Sequence, residues 1–319
     1  AAQAGSTLGS AQGLSGEQVR VQVRAVGLNF RDVLNVMGMY PGDPGAPGGD
    51  FAGVVVGVGG GVNEDKNEGG DDSRGASSLD VGDEVFGMAS GALRSYTMTD
   101  ARLIAPKPGS WTFEQASTMP VVWATVWSAF EDCMVLRPNY RVLIHAAMGG
   151  VGLTAVRYAS STGVEVYATA GRESKHEYLR STMGIPAGRI GSSRNCGAFR
   201  QQMDAAFAGS GSNTDMPASA DGQLDAVLNS LSHDEYIPES LKMVKNDGHF
   251  LEIGKRGIWS RNFAPCAAPR VLYHLIAVDV DMQQAPLWMQ SLLLQTATRA
   301  ARSVLGLQLL CKSLFPLSP

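Results

Sequence analysis

A glycine-rich turn between two regular patterns is the stretch of this sequence whose residue types point most directly to chemistry. An apolar run at 142–144 leads into the turn, and a helical pattern follows it. Glycine lets a bound pyrophosphate approach the backbone, and the free N–H groups that start the next helix attract the same anion. In the pattern G-x-G-x-x-G, Ala147 takes the place of the first glycine. The candidate cofactor-binding residues here are Ala147, Gly149, Gly150, Val151 and Gly152. Because a second strand pattern follows at 164–169, the spacing of a βαβ unit, the turn predicts dinucleotide binding rather than a plain glycine-rich turn.

The residues after the second strand pattern indicate which dinucleotide binds. An NADH site places an Asp or Glu about 20 residues beyond the glycines, where its carboxylate accepts from the ribose 2′-hydroxyl. Small residues stand at that place here, and Arg172, Ser174 and Lys175 follow them. Because cations and hydroxyls bind a 2′-phosphate, the sequence favours NADPH, the alternative being a solvated helix start. Arg194 is a further candidate for this phosphate pocket.

Alternating strand and helix patterns must position these groups. Strands are predicted at 142–145, 164–169, 226–229, 249–253 and 271–280. Helices are predicted at 152–161, 175–182, 198–208, 236–244 and 287–304. Such alternation predicts an α/β fold with a parallel, doubly wound sheet. Ligands bind these sheets at the carboxyl ends of the strands, where Asn229, Gly254 and Lys255 fall.

The first 110 or so residues carry a different pattern. Short strands are predicted at 19–26, 51–58, 85–88, 95–99 and 102–105. A short helix capped by Asn29 is predicted at 28–37, before a loop rich in Pro and Gly. Many short strands with glycine turns predict a barrel-like β domain. Two polar segments, 63–78 and 209–222, are predicted to be surface inserts without chemistry, the first of them disordered.

Composition excludes several functional classes. The 319 residues suggest about two domains, and a net charge of −4 gives no support for nucleic-acid binding. No apolar run approaches the roughly 20 residues that cross a bilayer, and no targeting segment is visible. The four cysteines are scattered, which indicates neither a zinc site nor a disulfide framework. We therefore expect an intracellular, cytoplasmic protein without a membrane anchor.

Seven segments, in their order along the chain, resemble the enoyl reductase domain of polyketide synthases and animal-type fatty acid synthases. They are 27–34 (Gly-Leu-Asn-Phe-Arg-Asp-Val-Leu), 38–42 (Gly-Met-Tyr-Pro-Gly), 49–53 (Gly-Asp-Phe-Ala-Gly), 81–85, 146–152, 229–231 and 252–255. The resemblance implies a groES-like catalytic domain followed by a Rossmann domain, the architecture of the medium-chain dehydrogenase/reductase superfamily. Zinc members of that superfamily have a His-Glu pair where this chain has Asp50 and Phe51, so no metal is expected.

The resemblance also implies domain boundaries. It places the groES-like domain at 1–118, the Rossmann domain at 119–282, and a helix that begins the return to the first domain at 283–319. Domains of this family end with a further helix and strand, whereas this sequence stops at Pro319 and starts without an initiator Met. We therefore expect a truncated piece of a longer synthase chain.

The activity implied by the resemblance is NADPH-dependent reduction of a trans-2-enoyl thioester, held by the phosphopantetheine arm of an acyl carrier protein. The other domains of a multidomain synthase are the further partners implied. Such a reduction needs a hydride at the β-carbon, hydrogen-bond donors around the thioester oxygen and a proton donor near the α-carbon. The sequence leaves the oligomeric state, the acyl chain and the stereochemistry open.

Three residues are candidates for the proton chemistry. Tyr40 lies in the rigid loop 38–42 and matches the family's tyrosine, which is associated with the side of protonation. Lys255 matches the family's lysine, and the resemblance implies Asp279 as its partner, with Asp281 as a rival. Asn29 and Asn229 are expected at the nicotinamide and the ribose of the cofactor, respectively.

Two other interpretations stay open. One is a freestanding, zinc-free reductase similar to quinone oxidoreductases, which shares the glycine turn. The other is a reductase-like module without activity that serves as a structural part of a synthase.

Overall fold

The chain folds into two compact units, which are described separately. The computed structural model describes residues 14, 16–63, 78–209, 223–233 and 235–301. The first unit comprises Ala1–Val121 and Asp279–Pro319, and the second comprises Val122–Val278. The second unit is thus inserted in the sequence of the first. The predicted polar inserts at 63–78 and 209–222 lie almost wholly outside the described residues, as does the predicted end of the last helix.

The first unit contains an antiparallel sheet of five strands among the described residues. The strands are β1 (Gln18–Gly27), β2 (Asp50–Val58), β3 (Glu84–Met88), β4 (Tyr96–Asp100) and β5 (Ile104–Pro106). Their order is β4-β1-β2-β3-β5. The two-residue alternation of β1 places Val19 and Val21 in one core with Phe51 and Val55 of β2. The predicted β-rich domain is confirmed for this part of the chain.

The second unit contains a parallel sheet of six strands in the described part of the chain. The strands are β6 (Arg141–Ile144), β7 (Glu165–Ala170), β8 (Ile190–Ser192), β9 (Leu224–Asn229), β10 (Val244–Glu252) and β11 (Leu272–Leu275). Their order, β11-β10-β9-β6-β7-β8, is the 3-2-1-4-5-6 order of a dinucleotide-binding fold when it is read from the β8 edge. The predicted parallel, doubly wound sheet is therefore confirmed.

Helices connect the strands and cover the second sheet. Within the described ranges they are α1 (Phe30–Val36), α2 (Phe113–Ala116), α3 (Pro120–Trp127), α4 (Gly150–Ser161), α5 (Glu173–Ser181), α6 (Cys196–Gly209), α7 (Tyr236–Met243), α8 (Phe263–Ala267), α9 (Val278–Gln284) and α10 (Pro286–Ala301). α10 packs against β5 in the first unit. None of these described helices is both long and apolar enough to pass through a bilayer.

Several short elements differ from the predictions. β5 starts two residues later than predicted, because Asp100 accepts a hydrogen bond from the Arg102 N–H at 2.8 Å and closes a 3₁₀ turn over Ala101–Leu103. β8 and α8 were not predicted at all. With three and five residues, respectively, they are too short for a periodic pattern to stand out.

The predicted strand at 271–280 is wrong in its second half. β11 ends at Leu275, and the following residues form α9, so Asp279 and Asp281 lie on a helix and not on the last strand. The alternation of apolar and acidic residues after 277 imitates a strand. Both carboxylates instead occupy the first turn of α9, where the positive end of the helix dipole stabilises negative charge.

Candidate functional site

The glycine turn joins β6 to α4 near the centre of the parallel sheet. β6 lies between β7 and β9, at the point where the strand order switches direction, which is where α/β sheets bind ligands. Ala146 adopts the left-handed conformation with φ +46°, and Gly149 is the N-cap of α4. Gly149 and Gly150 are exposed. The first N–H groups of α4 are consequently open to an anion.

Gly152 provides the close approach of α4 to the turn. A Cβ at this position would lie 2.6 Å from the carbonyl oxygen of Ala146 and 2.6 Å from the Cα of Ala147. These are backbone atoms, so no side chain can move aside. Ala147 is fully buried, and its N–H donates to the Thr169 carbonyl at 2.9 Å. The turn therefore supplies the third-glycine packing of a dinucleotide-binding motif, with alanine in the first slot.

His145 lies under the glycine turn and is not positioned for proton transfer to a ligand. Its ring is buried, with Nδ1 3.1 Å from Thr169 Oγ1 and Nε2 2.8 Å from Ser240 Oγ. Burial, reinforced by the nearby His233, lowers the pKa of His145 to about 3. The imidazole is therefore neutral at physiological pH and packs under the turn.

A group of cations surrounds the end of β7. Arg172 is the N-cap of α5, and Lys175 lies in the first turn of that helix. The Arg194 side chain crosses Gly171, since a Cβ on that glycine would lie 2.7 Å from Arg194 Nε. Arg172, Lys175 and Arg194 are exposed and form no ion pair with a carboxylate in the described part of the chain, and Ser174 is exposed beside them. This arrangement suits a phosphate group at the position predicted for the 2′-phosphate.

Asn229 and Glu252 form a buried pair where β9 and β10 end. Asn229 Nδ2 donates to Glu252 Oε2 at 2.7 Å, and Asn229 Oδ1 accepts from the Leu231 N–H at 3.2 Å. The Glu252 carboxylate also accepts from Gly254 N–H at 2.6 Å and from Ser232 Oγ at 3.3 Å. Burial raises the pKa of Glu252 above its ordinary value. The pair fixes the two loops that follow neighbouring strands. Both ends of the Asn229 amide have protein partners, Glu252 for the NH₂ group and Leu231 for the oxygen.

Gly254 and Lys255 follow this carboxylate at the carboxyl end of β10. A Cβ on Gly254 would lie 2.0 Å from Ser232 Oγ and 2.6 Å from Glu252 Oε1, so the turn needs a glycine there. Lys255 is partly buried. It therefore emerges at the sheet edge that the sequence predicts.

Asn29 and Asp50 form the corresponding buried pair of the first unit. Asn29 Nδ2 donates to Asp50 Oδ2 at 3.0 Å, and the Val121 N–H lies 3.2 and 3.3 Å from the two carboxylate oxygens. Asp50 is 1% exposed. Burial raises its pKa to about 8, although the two hydrogen bonds act in the opposite direction. Asp50 is therefore mostly a neutral carboxylic acid at pH 7.

Tyr40 lies in the same unit, in contact with Asp279 and Arg31. The Tyr40 hydroxyl donates to Asp279 Oδ2 at 2.9 Å. The Arg31 guanidinium lies over the Tyr40 ring, with Cζ 5.2 Å from the ring centroid, and its Nε is 3.8 Å from Asp279 Oδ2. The structure thus brings two of the three predicted catalytic residues together. Lys255 belongs to the other unit, and its pairing with Asp279 stays a prediction.

Sequence reasoning did not identify Asp50 and Glu252 as site residues. Asp50 is the first residue of β2, and Glu252 is the last residue of β10. A carboxyl that borders a largely buried apolar run, 51–55 after Asp50 and 250–251 before Glu252, is the signal that could have found both of them. Among the described residues, no group of three or more His, Cys, Asp and Glu side chains could hold a metal ion.

Two family models match the chain. The alcohol dehydrogenase GroES-like domain matches residues 15–109, and the zinc-binding dehydrogenase model matches residues 150–280. The spectinabilin polyketide synthase system protein NorB of Streptomyces orinoci is 42% identical over 241 residues, which are 76% of this chain and 10% of that protein. The phenolphthiocerol synthesis polyketide synthase type I Pks15/1 of Mycobacterium marinum is 38% identical over 280 residues, 88% of this chain and 12% of that protein. The chain thus spans about a tenth of the length of these curated relatives.

Solved structures with the same architecture include two reductases. The CurK enoyl reductase superposes with a TM-score of 0.77 at 32% identity, covering 95% of this chain and 84% of that one. The Escherichia coli quinone oxidoreductase complexed with NADPH superposes with a TM-score of 0.68 at 21% identity, covering 92% of this chain and 82% of that one. At that identity the second match shows the fold alone.

Proposed function

Because the chain belongs to the family of polyketide synthase enoyl reductases within the medium-chain dehydrogenase/reductase superfamily, we propose that it reduces the α,β double bond of a trans-2-enoyl thioester with NADPH. The observation that carries the proposal is the glycine turn at the switch point of the parallel sheet, together with the exposed cations at the end of the next strand. The first feature suits a pyrophosphate, and the second suits a 2′-phosphate.

The residues of the second unit fit the cofactor. The Gly149–Gly152 turn and the start of α4 would hold the pyrophosphate, and Val151 belongs to that first helical turn. Arg172, Ser174, Lys175 and Arg194 would hold the 2′-phosphate. Asn229, whose amide is occupied by Glu252, and Gly254 would shape the loops beside the nicotinamide ribose. When bound, the cofactor supplies the hydride that reaches the β-carbon.

Tyr40 and Lys255 are assigned as the two groups that donate to the substrate. We assign Tyr40 as the proton donor to the α-carbon, because its hydroxyl is held in a polar cluster by Asp279. Lys255 is the second donor, placed at the carboxyl end of β10. Asn29, fixed by Asp50, is assigned to the nicotinamide side of the site.

The substrate is assigned to a carrier protein. The chain matches 10% and 12% of the length of two polyketide synthase proteins, so it corresponds to one part of such a protein. We propose that the enoyl group arrives on the phosphopantetheine arm of an acyl carrier protein, and that other synthase domains are its neighbours.

Consumption of NADPH measured at 340 nm, with a crotonyl thioester and with NADH in parallel, tests the function. We expect turnover with NADPH and at least a tenfold lower kcat/KM with NADH, since the phosphate contacts are charge-assisted. Arg172→Ala combined with Arg194→Ala should raise KM for NADPH and leave KM for NADH unchanged. Arg180→Ala is the matched control, because Arg180 lies on α5 but pairs with Glu173 and Glu177.

Three other results of this assay would contradict part or all of the proposed function. Equal use of both cofactors would refute the phosphate pocket and keep the reaction. Reduction of a quinone in preference to the thioester would favour a quinone oxidoreductase. Binding of NADPH without reduction of either substrate would favour a structural module.

A further inference from the structure

We propose that Arg31 is a positioning residue for Tyr40, and that through Tyr40 it sets the face from which the α-carbon receives its proton. This inference rests on the proposed function. It adds a residue to which the sequence and the family resemblance give no part in protonation. It stands on contacts within the first unit.

Arg31 contacts two residues of one nearby loop, Tyr40 and Pro44, and the distant Asp279. Its guanidinium lies over the Tyr40 ring, 5.2 Å from Cζ to the ring centroid. Its Nη2 donates to the Pro44 carbonyl at 2.8 Å, and its Nε lies 3.8 Å from Asp279 Oδ2. The arginine thus spans the loop that carries Tyr40 and connects it to the first turn of α9.

The Arg31 Nε is a spare donor in this cluster. It is buried and has no hydrogen-bond partner within the described residues. Asp279 Oδ2 already accepts the Tyr40 hydroxyl at 2.9 Å, so the phenol and the guanidinium converge on one oxygen. A buried unpaired donor carries a desolvation cost that positions outside functional sites seldom tolerate.

The direction of the Tyr40 proton follows from the plane of its ring. A phenolic hydrogen lies in or near the ring plane, because the oxygen lone pair is conjugated with the ring. The Tyr40 hydroxyl donates to Asp279 Oδ2, so its hydrogen has to turn about the Cζ–O bond, away from Asp279, before it reaches the substrate. The substrate can receive the proton only along the other in-plane direction, so the ring plane selects one face of the α-carbon.

Arg31 fixes that plane. A guanidinium that lies over an aromatic face hinders rotation of the ring, and the Nη2 bond to the Pro44 carbonyl keeps the guanidinium itself in place. In the transfer, the Tyr40 O–H bond breaks and a C–H bond forms with the electron pair of the enolate. The phenolate that remains is stabilised by the adjacent cation and regains a proton from water.

An ordinary surface ion pair would not have this effect. The side chains of Arg31 and Asp279 are 32% and 20% exposed, and at 3.8 Å their ion pair contributes little stability by itself. The functional consequence comes instead from the stacking on Tyr40, which an ion pair does not require.

The test uses Arg31→Gln, Tyr40→Phe, the double variant and the control Arg24→Gln, with a 2-methyl-enoyl thioester and NADPH. Arg24 is an exposed cation of β1 in the same unit. Chiral chromatography measures the ratio of the two α-epimers. We expect Arg31→Gln to raise the share of the minor epimer about fivefold, and Arg24→Gln to leave it unchanged.

The double variant separates positioning from other effects. If Arg31 acts through Tyr40, Arg31→Gln should add nothing once Tyr40 is Phe, since the residue it positions is gone. A shift of the same size in both backgrounds would overturn the inference. An unchanged ratio in Arg31→Gln, with a changed ratio in Tyr40→Phe, would also overturn it. An unchanged ratio in Tyr40→Phe would instead refute the proton-donor role in the proposed function.

A readout without turnover keeps the inference testable in an inactive protein. In protein labelled with ¹³Cζ-tyrosine, the Tyr40 resonance is the one that Tyr40→Phe removes. Arg31→Gln should move this resonance, while Arg24→Gln leaves it in place and NADPH binding by fluorescence stays at the wild-type level in both. A Tyr40 resonance that does not respond to Arg31→Gln would overturn the positioning role.

Discussion

Each unit contains one buried carboxylate that holds an asparagine amide, and the two differ in how many donors surround them. Asp50 accepts from the Asn29 amide and from one backbone N–H. Glu252 accepts from the Asn229 amide, the Gly254 N–H and the Ser232 hydroxyl, and the Tyr273 hydroxyl lies 3.5 Å away. Both carboxyl groups are 1% exposed. Burial raises the pKa of both groups, and at Glu252 more hydrogen-bond donors oppose that rise than at Asp50.

The largest expected effect is the pH dependence of stability that Asp50 causes. Its pKa is about 8 in the folded protein and 3.8 in the unfolded chain, so the folded state binds more protons between those values. Stability should therefore fall as pH rises through this window and level off above pH 8. Asp50→Asn cannot ionise at this position. The difference in unfolding free energy, variant minus wild type, should therefore rise by about 3 to 4 kcal/mol as the pH goes from 5 to 8.

Urea denaturation of both proteins at several pH values measures this difference. Parallel curves for wild type and Asp50→Asn would show that Asp50 ionises as readily in the folded protein as in the unfolded chain. That result would remove the contrast with Glu252.

The second effect tests the number of donors directly. In Glu252→Gln the new amide must place an NH₂ group against one of the donors to Glu252, such as the Gly254 N–H or the Asn229 amide. We expect the unfolding free energy at pH 7 to fall by about 2 kcal/mol. Asp50→Asn should cost less than about 1 kcal/mol at the same pH, because Asp50 Oδ2 alone can serve both Asn29 and Val121. Equal losses in the two variants would contradict the comparison.

The smallest expected change in stability comes from the glycine near each carboxylate, Gly49 before Asp50 and Gly254 two residues after Glu252. A Cβ on Gly254 meets Ser232 Oγ at 2.0 Å and Glu252 Oε1 at 2.6 Å, whereas a Cβ on Gly49 meets nothing within 4 Å. Gly254→Ala should lower the unfolding free energy by about 1 kcal/mol, since side-chain atoms must shift. Gly49→Ala is the matched control and should change it by less than about half of that. Thermal unfolding at constant pH compares the two, and a larger loss in Gly49→Ala would be the contrary result.

The sequence predicted the frame of the fold better than the contacts of the site. The parallel sheet and the glycine turn follow from local periodicity, which a single stretch of chain contains. The Asn29–Asp50 and Asn229–Glu252 pairs join residues 21 and 23 positions apart, and no local pattern connects them. The Tyr40–Asp279 bond spans 239 positions, and the sequence assigned Asp279 to a strand. Such contacts depend on how the elements pack, which periodicity does not encode.

The insertion of the second unit within the sequence of the first also determines the order in which the protein can mature. Asp279 and α10 belong to the first unit but follow the whole of the second unit in the chain. During synthesis, the Tyr40 loop leaves the ribosome long before its partner on α9 exists. Closing this loop of 239 positions is a non-local step, and such steps are slow relative to the formation of local helices. The proton-donor cluster is therefore expected to be the last part of the first unit to form, after the cofactor unit has had time to fold.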